Sequence, residues 1–231
     1  MRMLVSVRTV PEALVAAAGG ADFIDLKEPP DGALGGLPPA TIRAILAALR
    51  EAGSALAVSA TIGDRAMHDR AGIHMAVDTV GACGVDYVKV GIEPEPAAGA
   101  VLQALARCDW PVVPVFIADR GLDFQLVAHA AALGFPALMV DTADKRSGSL
   151  FDALSANDLR RFIACVRDAG ALVGLAGALR LAHVPALKAL APDFAGFRSA
   201  VCVADRGSSL DPQRLRALSM QVHGQAVAAP V

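Results

Sequence analysis

Short apolar runs with two-residue alternation recur along the chain. Each is followed by a stretch in which apolar residues return every three to four positions. The runs are "MLVSV" at 3–7, "FIDLK" at 23–27, "ALAVSAT" at 55–61, "YVKVG" at 87–91, "VVPVFI" at 112–117, "ALMVD" at 137–141, "LVGLAG" at 172–177 and "FAGFRS" at 194–199. Helical stretches cover 11–18, 40–52, 70–82, 97–107, 122–133, 155–169, 183–190 and 211–221. End signals agree with these limits: Pro11 and Pro212 fall in first turns, Ser155 opens a helix, and Gly53 and Gly170 close two others. Eight strands alternating with eight helices predict a single closed (β/α)8 TIM barrel over an open doubly wound sheet. No composition shift divides the chain, so residues 1–221 are expected to form one barrel domain and 222–231 a flexible tail.

The even-numbered strands resemble one another. "GADFIDLK", "GVDYVKVG", "FPALMVD" and "APDFAGFR" align on Asp22, Asp86, Pro136 and Asp193. That alignment puts Lys27, Gly91, Asp141 and Arg198 at one equivalent position, and Asp25, Lys89, Met139 and Gly196 two residues earlier. Inward positions recur every second residue, and alternate strands fill the same layer of a barrel. Two charged tiers are therefore expected near the C-terminal mouth, with Gly91 and Gly196 leaving room for the long side chains. That is too much charge for a structural layer, so it reads as a site.

Composition narrows the chemistry. At 231 residues and 23.6 kDa, with 55% apolar and 4% aromatic residues, the core must be built from small aliphatics. A net charge of −2 gives no footprint for nucleic acid or an anionic membrane surface. Mean hydropathy is +0.48, yet no apolar run approaches the roughly 18 residues that span a bilayer. "MRMLVSVRTV" is too short in its apolar part for a signal peptide, so a cytoplasmic location is expected. Cys83, Cys108, Cys165 and Cys202 form no CxxC pair, and His68 and His74 are wrongly spaced for one helix face. Neither a metal nor another cofactor is expected.

The lysine distribution is more telling. Only four of the 21 basic residues are lysine, and three of these, Lys27, Lys89 and Lys145, lie at or just beyond the ends of strands 2, 4 and 6. Codon bias accounts for an arginine-rich surface but not for that placement. A guanidinium stays protonated, whereas a desolvated ammonium beside a second cation is shifted toward the nucleophilic free amine. Lys27 also fits a buried ion pair with Asp25, and Lys145 in "DTADKRSGS" fits an ordinary loop lysine. A phosphate site is expected in the loops after strands 7 and 8, from Gly177, Arg198, Ser199 and Ala200. Asp205 and Arg206 fit a surface turn equally well. Ser59 and Thr61 share a face and suit either substrate hydroxyls or small polar filling.

"LVSV", "GGADFIDLKEPPDGALG", "VSATIGD", "GVDYVKVG", "MVDTADKRSGSLFD", "LAGAL" and "FRSAVC" occur in that order. Together they resemble the (5-formylfuran-3-yl)methyl phosphate synthases of methanofuran biosynthesis, over Met3 to about Leu218. The resemblance implies a barrel lyase in the style of class I aldolases. Such an enzyme joins two glyceraldehyde 3-phosphate molecules with loss of phosphate and water. It also implies that Lys27 is the Schiff-base lysine, Lys89 the proton-transferring lysine, and Asp141 and Lys145 the loop pair. Asp25 would orient Lys27 and stabilise the imine. Other readings are a different class I aldolase-type triose-phosphate enzyme or a non-catalytic phosphosugar-binding barrel. A triose phosphate is the expected small-molecule partner, and self-association is expected because barrels commonly associate.

Overall fold

The computed structural model describes residues 1–32, 34–119, 121–144 and 148–224. Its strands are β1 (Arg2–Val7), β2 (Phe23–Leu26), β3 (Ala57–Thr61), β4 (Tyr87–Ile92), β5 (Val112–Ile117), β6 (Ala137–Asp141), β7 (Leu172–Leu175) and β8 (Phe194–Phe197). They pair in parallel and in chain order, β8 closing on β1, so the TIM barrel expected from the alternation is the fold. Helices α1 (Val10–Ala18), α2 (Pro39–Glu51), α3 (Arg70–Gly81), α4 (Ala98–Leu105) and α5 (Phe124–Ala131) follow the first five strands. Beyond β6 come α6 (Leu150–Ala153) and α7 (Ala156–Asp168), then α8 (Val184–Leu190) and α9 (Pro212–His223).

The short α6 has no counterpart among the expected helices, because one turn is too brief for an apolar period to show. A reciprocal cap holds it: the Ser149 amide and hydroxyl both donate to Asp152 Oδ2, each at 2.7 Å. The expected tail begins later than 222, since α9 runs to His223, and residues 225–231 lie outside those described. Thr9 and Ser155 cap α1 and α7 through their hydroxyls, and Pro11 and Pro212 occupy first turns.

The repeat in the even strands has a physical origin. Asp22 Oδ2 accepts the Met3 amide at 2.6 Å, Asp86 Oδ2 the Val58 amide at 2.7 Å, and Asp193 Oδ2 the Val173 amide at 2.8 Å. Each aspartate sits just before an even strand and satisfies a donor on its odd neighbour. Pro136 breaks the pattern, and there its own carbonyl accepts from Leu172 instead, at 3.1 Å.

Two apolar cores result. The larger lies between the strands and the surrounding helices and includes Ile24, Leu26, Ile45, Leu102 and Phe162. The smaller fills the barrel interior with Leu4, Val113, Val115, Ala137, Met139 and Phe194. Phe23 meets Phe194 edge to face at 5.6 Å, and Arg2 stacks over Phe23 at 4.7 Å across the N-terminal end. Above that floor the interior becomes polar.

Candidate active site

The charged tiers expected from the strand alignment converge at the C-terminal mouth. Asp25 on β2 is in register with Ser6 on β1 and Ser59 on β3, so three neighbouring strands point polar groups at one spot. The Ser59 hydroxyl donates to Asp25 Oδ1 at 2.7 Å and the Ser6 hydroxyl to Oδ2 at 3.2 Å. Lys89 Nζ, arriving from β4, sits 2.9 Å from Asp25 Oδ1. Both members of the pair are buried, at 1% and 3% exposure, where an isolated charge would be costly.

Burial pushes the Asp25 carboxyl up, but Lys89, Lys27 and the Ser59 hydroxyl more than offset it, so the group stays below the ordinary carboxylate range. For Lys89 the balance tips the other way. Burial lowers it and the Lys27 charge lowers it further, and the pull of Asp25 only partly restores it. Lys89 therefore titrates below an ordinary lysine, which suits an amine that must take up and release protons.

Lys27, just past β2, occupies the tier above. Among the described residues its Nζ reaches only the Asp141 carboxylate, at 3.8 Å, longer than a hydrogen bond. Asp141 closes β6, and its Oδ1 accepts the Thr142 amide at 2.8 Å. Lys27, Lys89, Asp25 and Asp141 all line one cavity of about 520 Å³, open solvent included. Its rim adds Gly177, Ser199, Arg198 and Arg206. Asp25 is thus the partner of Lys89, not the orienting group for Lys27, because two residues along a strand means one tier further up the barrel.

Several expected binding residues take other roles. Arg198 spends its whole guanidinium on the protein. Nη1 and Nη2 pair with Glu12 at 2.6 and 3.0 Å, and the remaining donors reach the carbonyls of Ser6, Arg206 and Ser208. It offers no open fork to a phosphate. Thr61 is fully buried and donates to the Gly35 carbonyl at 2.8 Å, sealing the loop after β2, and it does not line the mouth. Ser59 holds Asp25 and lines a chamber beneath the charged tier. Ala200 lies in a 3₁₀ turn, Ser199–Val201, outside the cavity lining, whereas Gly177 and Ser199 are on it. Lys145 lies outside the described residues. The space expected over Gly91 is filled by Leu34 from the loop after β2; a Cβ on Gly91 would stand 2.7 Å from Leu34 Cδ1.

Arg206, which the sequence leaves open between a phosphate loop and a surface turn, belongs to the cavity. It is half-buried and lines the cavity with Lys27, and its Nη2 donates to the Gly32 carbonyl at 2.8 Å. Burial lowers its guanidinium from the ordinary arginine value.

The sequence has relatives among known proteins. The family profile of 4-HFC-P synthase covers residues 3–219. The chain belongs to that family. A Methylorubrum extorquens protein, named provisionally as a (5-formylfuran-3-yl)methyl phosphate synthase, is 40% identical over 93% of this chain and 88% of its own. The (5-formylfuran-3-yl)methyl phosphate synthase of Archaeoglobus fulgidus is 34% identical over 97% of this chain and 100% of its own. Family members are named synthases, so the mouth of this barrel is read as an enzyme's. Among solved structures, phosphoribosyl anthranilate isomerase from Thermus thermophilus superposes with a TM-score of 0.67 at 21% identity, over 97% of this chain and 99% of that one. The 3-hexulose-6-phosphate synthase of Salmonella typhimurium gives 0.65 at 20%, over 96% and 100%. These two likenesses show the barrel fold. Among the described residues no helix is long and apolar enough to cross a membrane.

Proposed function

We propose that this 4-HFC-P synthase family member joins two glyceraldehyde 3-phosphate molecules into (5-formylfuran-3-yl)methyl phosphate, the furan unit for methanofuran, through an imine on Lys27. One observation carries the reading. Two lysines share a single cavity, one with an amine facing the space without a hydrogen bond, the other buried on Asp25 with lowered basicity. A layer built only for structure would close each amine onto its acid at hydrogen-bond distance, whereas Lys27 Nζ stands 3.8 Å from Asp141.

The amine of Lys27 adds to the aldehyde carbon of one triose phosphate, and loss of water leaves an iminium. That cation acidifies the neighbouring C–H, and Lys89 removes the proton to give an enamine. The enamine expels the phosphate from the next carbon, so the leaving group departs with the electron pair the proton left behind. The resulting unsaturated iminium is electrophilic at its terminal carbon, where C2 of the second triose phosphate, deprotonated beside its aldehyde, adds. The enol oxygen then closes on that aldehyde, and loss of two waters completes the ring. Hydrolysis of the imine returns the water lost in forming it. Overall, one phosphate and two waters leave, and closure to an aromatic ring drives the sequence forward. Asp25, fixed by Ser6 and Ser59, holds Lys89 in place for each transfer. Asp141, with Lys145 four residues further along the sequence, polarises the carbonyl and assists dehydration.

The test is direct. Purified protein is incubated with glyceraldehyde 3-phosphate alone, and phosphate release and the furan aldehyde are followed together by NMR. The expected result is one phosphate released per furan formed. Conversion to dihydroxyacetone phosphate, with neither phosphate nor furan appearing, would assign the site to an isomerase.

A further inference from the structure

Two arginines border the mouth on the β8 side, and their surroundings are opposite. Arg198 donates to Glu12 with both terminal nitrogens, and its Nε and Nη2 also hold the carbonyls of Arg206 at 2.9 Å and Ser208 at 2.7 Å. Between those two, the Gly207 carbonyl accepts from Arg8 Nη1 at 2.9 Å. Three consecutive carbonyls are thus held by guanidinium groups. The Asp205 carboxylate further accepts the amides of Gly207 and Ser208, at 2.9 and 3.0 Å. A loop pinned this densely presents its remaining long side chain in a fixed direction.

That side chain is Arg206. Its Nη2 rests on the Gly32 carbonyl at 2.8 Å, and among the described residues it meets no other hydrogen-bond acceptor. The rest of its five-donor fork is left to the cavity that also holds Lys27. Gly32 has φ of +111°, and a Cβ there would overlap the Asp64 carboxylate, so the carbonyl it offers is set by a backbone that only glycine accepts. On the facing rim Ala178 is held at φ of +45°, a strained value for a residue with a Cβ and one that collects at ligand sites.

We infer that Arg206 is the anchor for the substrate's phosphate, aimed into the mouth by the Glu12–Arg198 pair acting through the 206–208 backbone. The inference rests on the phosphorylated substrate proposed above. Arg206 contacts the ester, whereas Arg198 and Glu12 are positioning residues that never touch it. The bound phosphate occupies the donors that Gly32 leaves unused, so the loops after β2 and β8 are tied together over the ligand.

Borohydride labelling of Lys27 with glyceraldehyde 3-phosphate, and in parallel with unphosphorylated glyceraldehyde, separates the phosphate from the aldehyde. For Arg206→Ala, half-maximal labelling by the phosphate ester should need roughly 10- to 100-fold more ligand, as for loss of a charge-assisted pair. Labelling by glyceraldehyde should be unchanged. Arg206→Lys, which keeps charge but not the fork, should fall between. Glu12→Gln should shift the same concentration in the same direction with its maximal labelling intact. Equal concentration dependence in wild type and Arg206→Ala overturns the inference, as does a matching loss with glyceraldehyde. If wild type labels with neither aldehyde, the imine reading fails on its own. The anchor is then judged by the rise in melting temperature that inorganic phosphate gives. A rise lost in Arg206→Ala upholds the anchor, and an equal rise in both proteins overturns it.

Discussion

The floor and the mouth of the barrel interior are built by the same strands and share almost nothing chemically. On β2, Phe23 faces the floor and Asp25 the tier above it; on β4 the corresponding residues are Tyr87 and Lys89; on β6, Ala137 lies below and Asp141 above. The floor surrounds a chamber of about 510 Å³, open solvent included, lined mainly by apolar side chains, with Lys89 and Ser59 at its polar limit. The mouth gathers two acids and two amines within one cavity. On β2 and β4 two residues of strand are enough to pass from packing to chemistry, because inward positions repeat every second residue, whereas on β6 Met139 stands between and the passage takes four. The contrast also explains the electrostatics. Lys89 is only 3% exposed, and that burial is the largest cause of its lowered basicity.

The sharpest way to break this contrast is to remove the amine that makes no hydrogen bond among the described residues. Lys27→Arg retains the charge and cannot form an imine, so product formation should fall by about 10⁴-fold or more, the scale of losing a covalent nucleophile. The melting temperature should stay within a degree or two of wild type, since Lys27 makes no hydrogen bond among the described residues. Retained turnover in this variant would return Lys27 to the structural residues.

Removing Lys89 should hurt both activity and stability. Lys89→Met should lower turnover about 10²- to 10⁴-fold, the range for a general acid–base. It should also destabilise the fold by about 3–5 kcal/mol, because Asp25 is left buried without its cation. Adding Asp25→Leu converts this part of the mouth into floor. Urea unfolding should then recover most of the stability while activity stays lost. Recovery of both would mean that the pair is architecture alone.

A floor substitution should do the reverse. Phe194→Ala removes the partner of Phe23 and should cost about 3–5 kcal/mol by urea titration. In protein that remains folded, the concentration of substrate at half-maximal rate should change less than about threefold, since the charged tier sits above it.

The smallest effect is on acid stability. The folded Asp25 carboxyl lies below its unfolded value near 3.9, so the stability it contributes is fully present above that value and is lost as pH falls through the folded one. The unfolding free energy should decline as pH falls through and below the ordinary carboxylate range. In Lys89→Met, where the cation that lowers Asp25 most is gone, that decline should begin at higher pH. An unchanged acid limb would show that the two groups are not coupled.

The barrel and its charged tiers were legible because both follow local rules. Apolar runs marked the strands, and Asp22, Asp86 and Asp193 recur because each satisfies a donor on the neighbouring strand. Arg198, expected to hold phosphate, is committed within the protein for a reason that is not local. Arg198 is committed by Glu12, 186 residues away on α1, and nothing in "TVPEALV" marks that glutamate as buried. Thr61 takes the second of its two readings, polar filling, because its acceptor Gly35 belongs to the loop after β2. The sharing of one tier by Asp25 and Lys89 was legible from the alignment of the even strands, and the structure closes the two into a pair at 2.9 Å.

The central claim is an imine on Lys27, and borohydride trapping with glyceraldehyde 3-phosphate tests it most directly. After reduction, intact mass and peptide mapping should find a single triose-phosphate adduct on the peptide containing Lys27, and none in Lys27→Arg. Turnover with no adduct on any lysine would contradict the account, and would point to an enediolate route in which the lysines act only as charges.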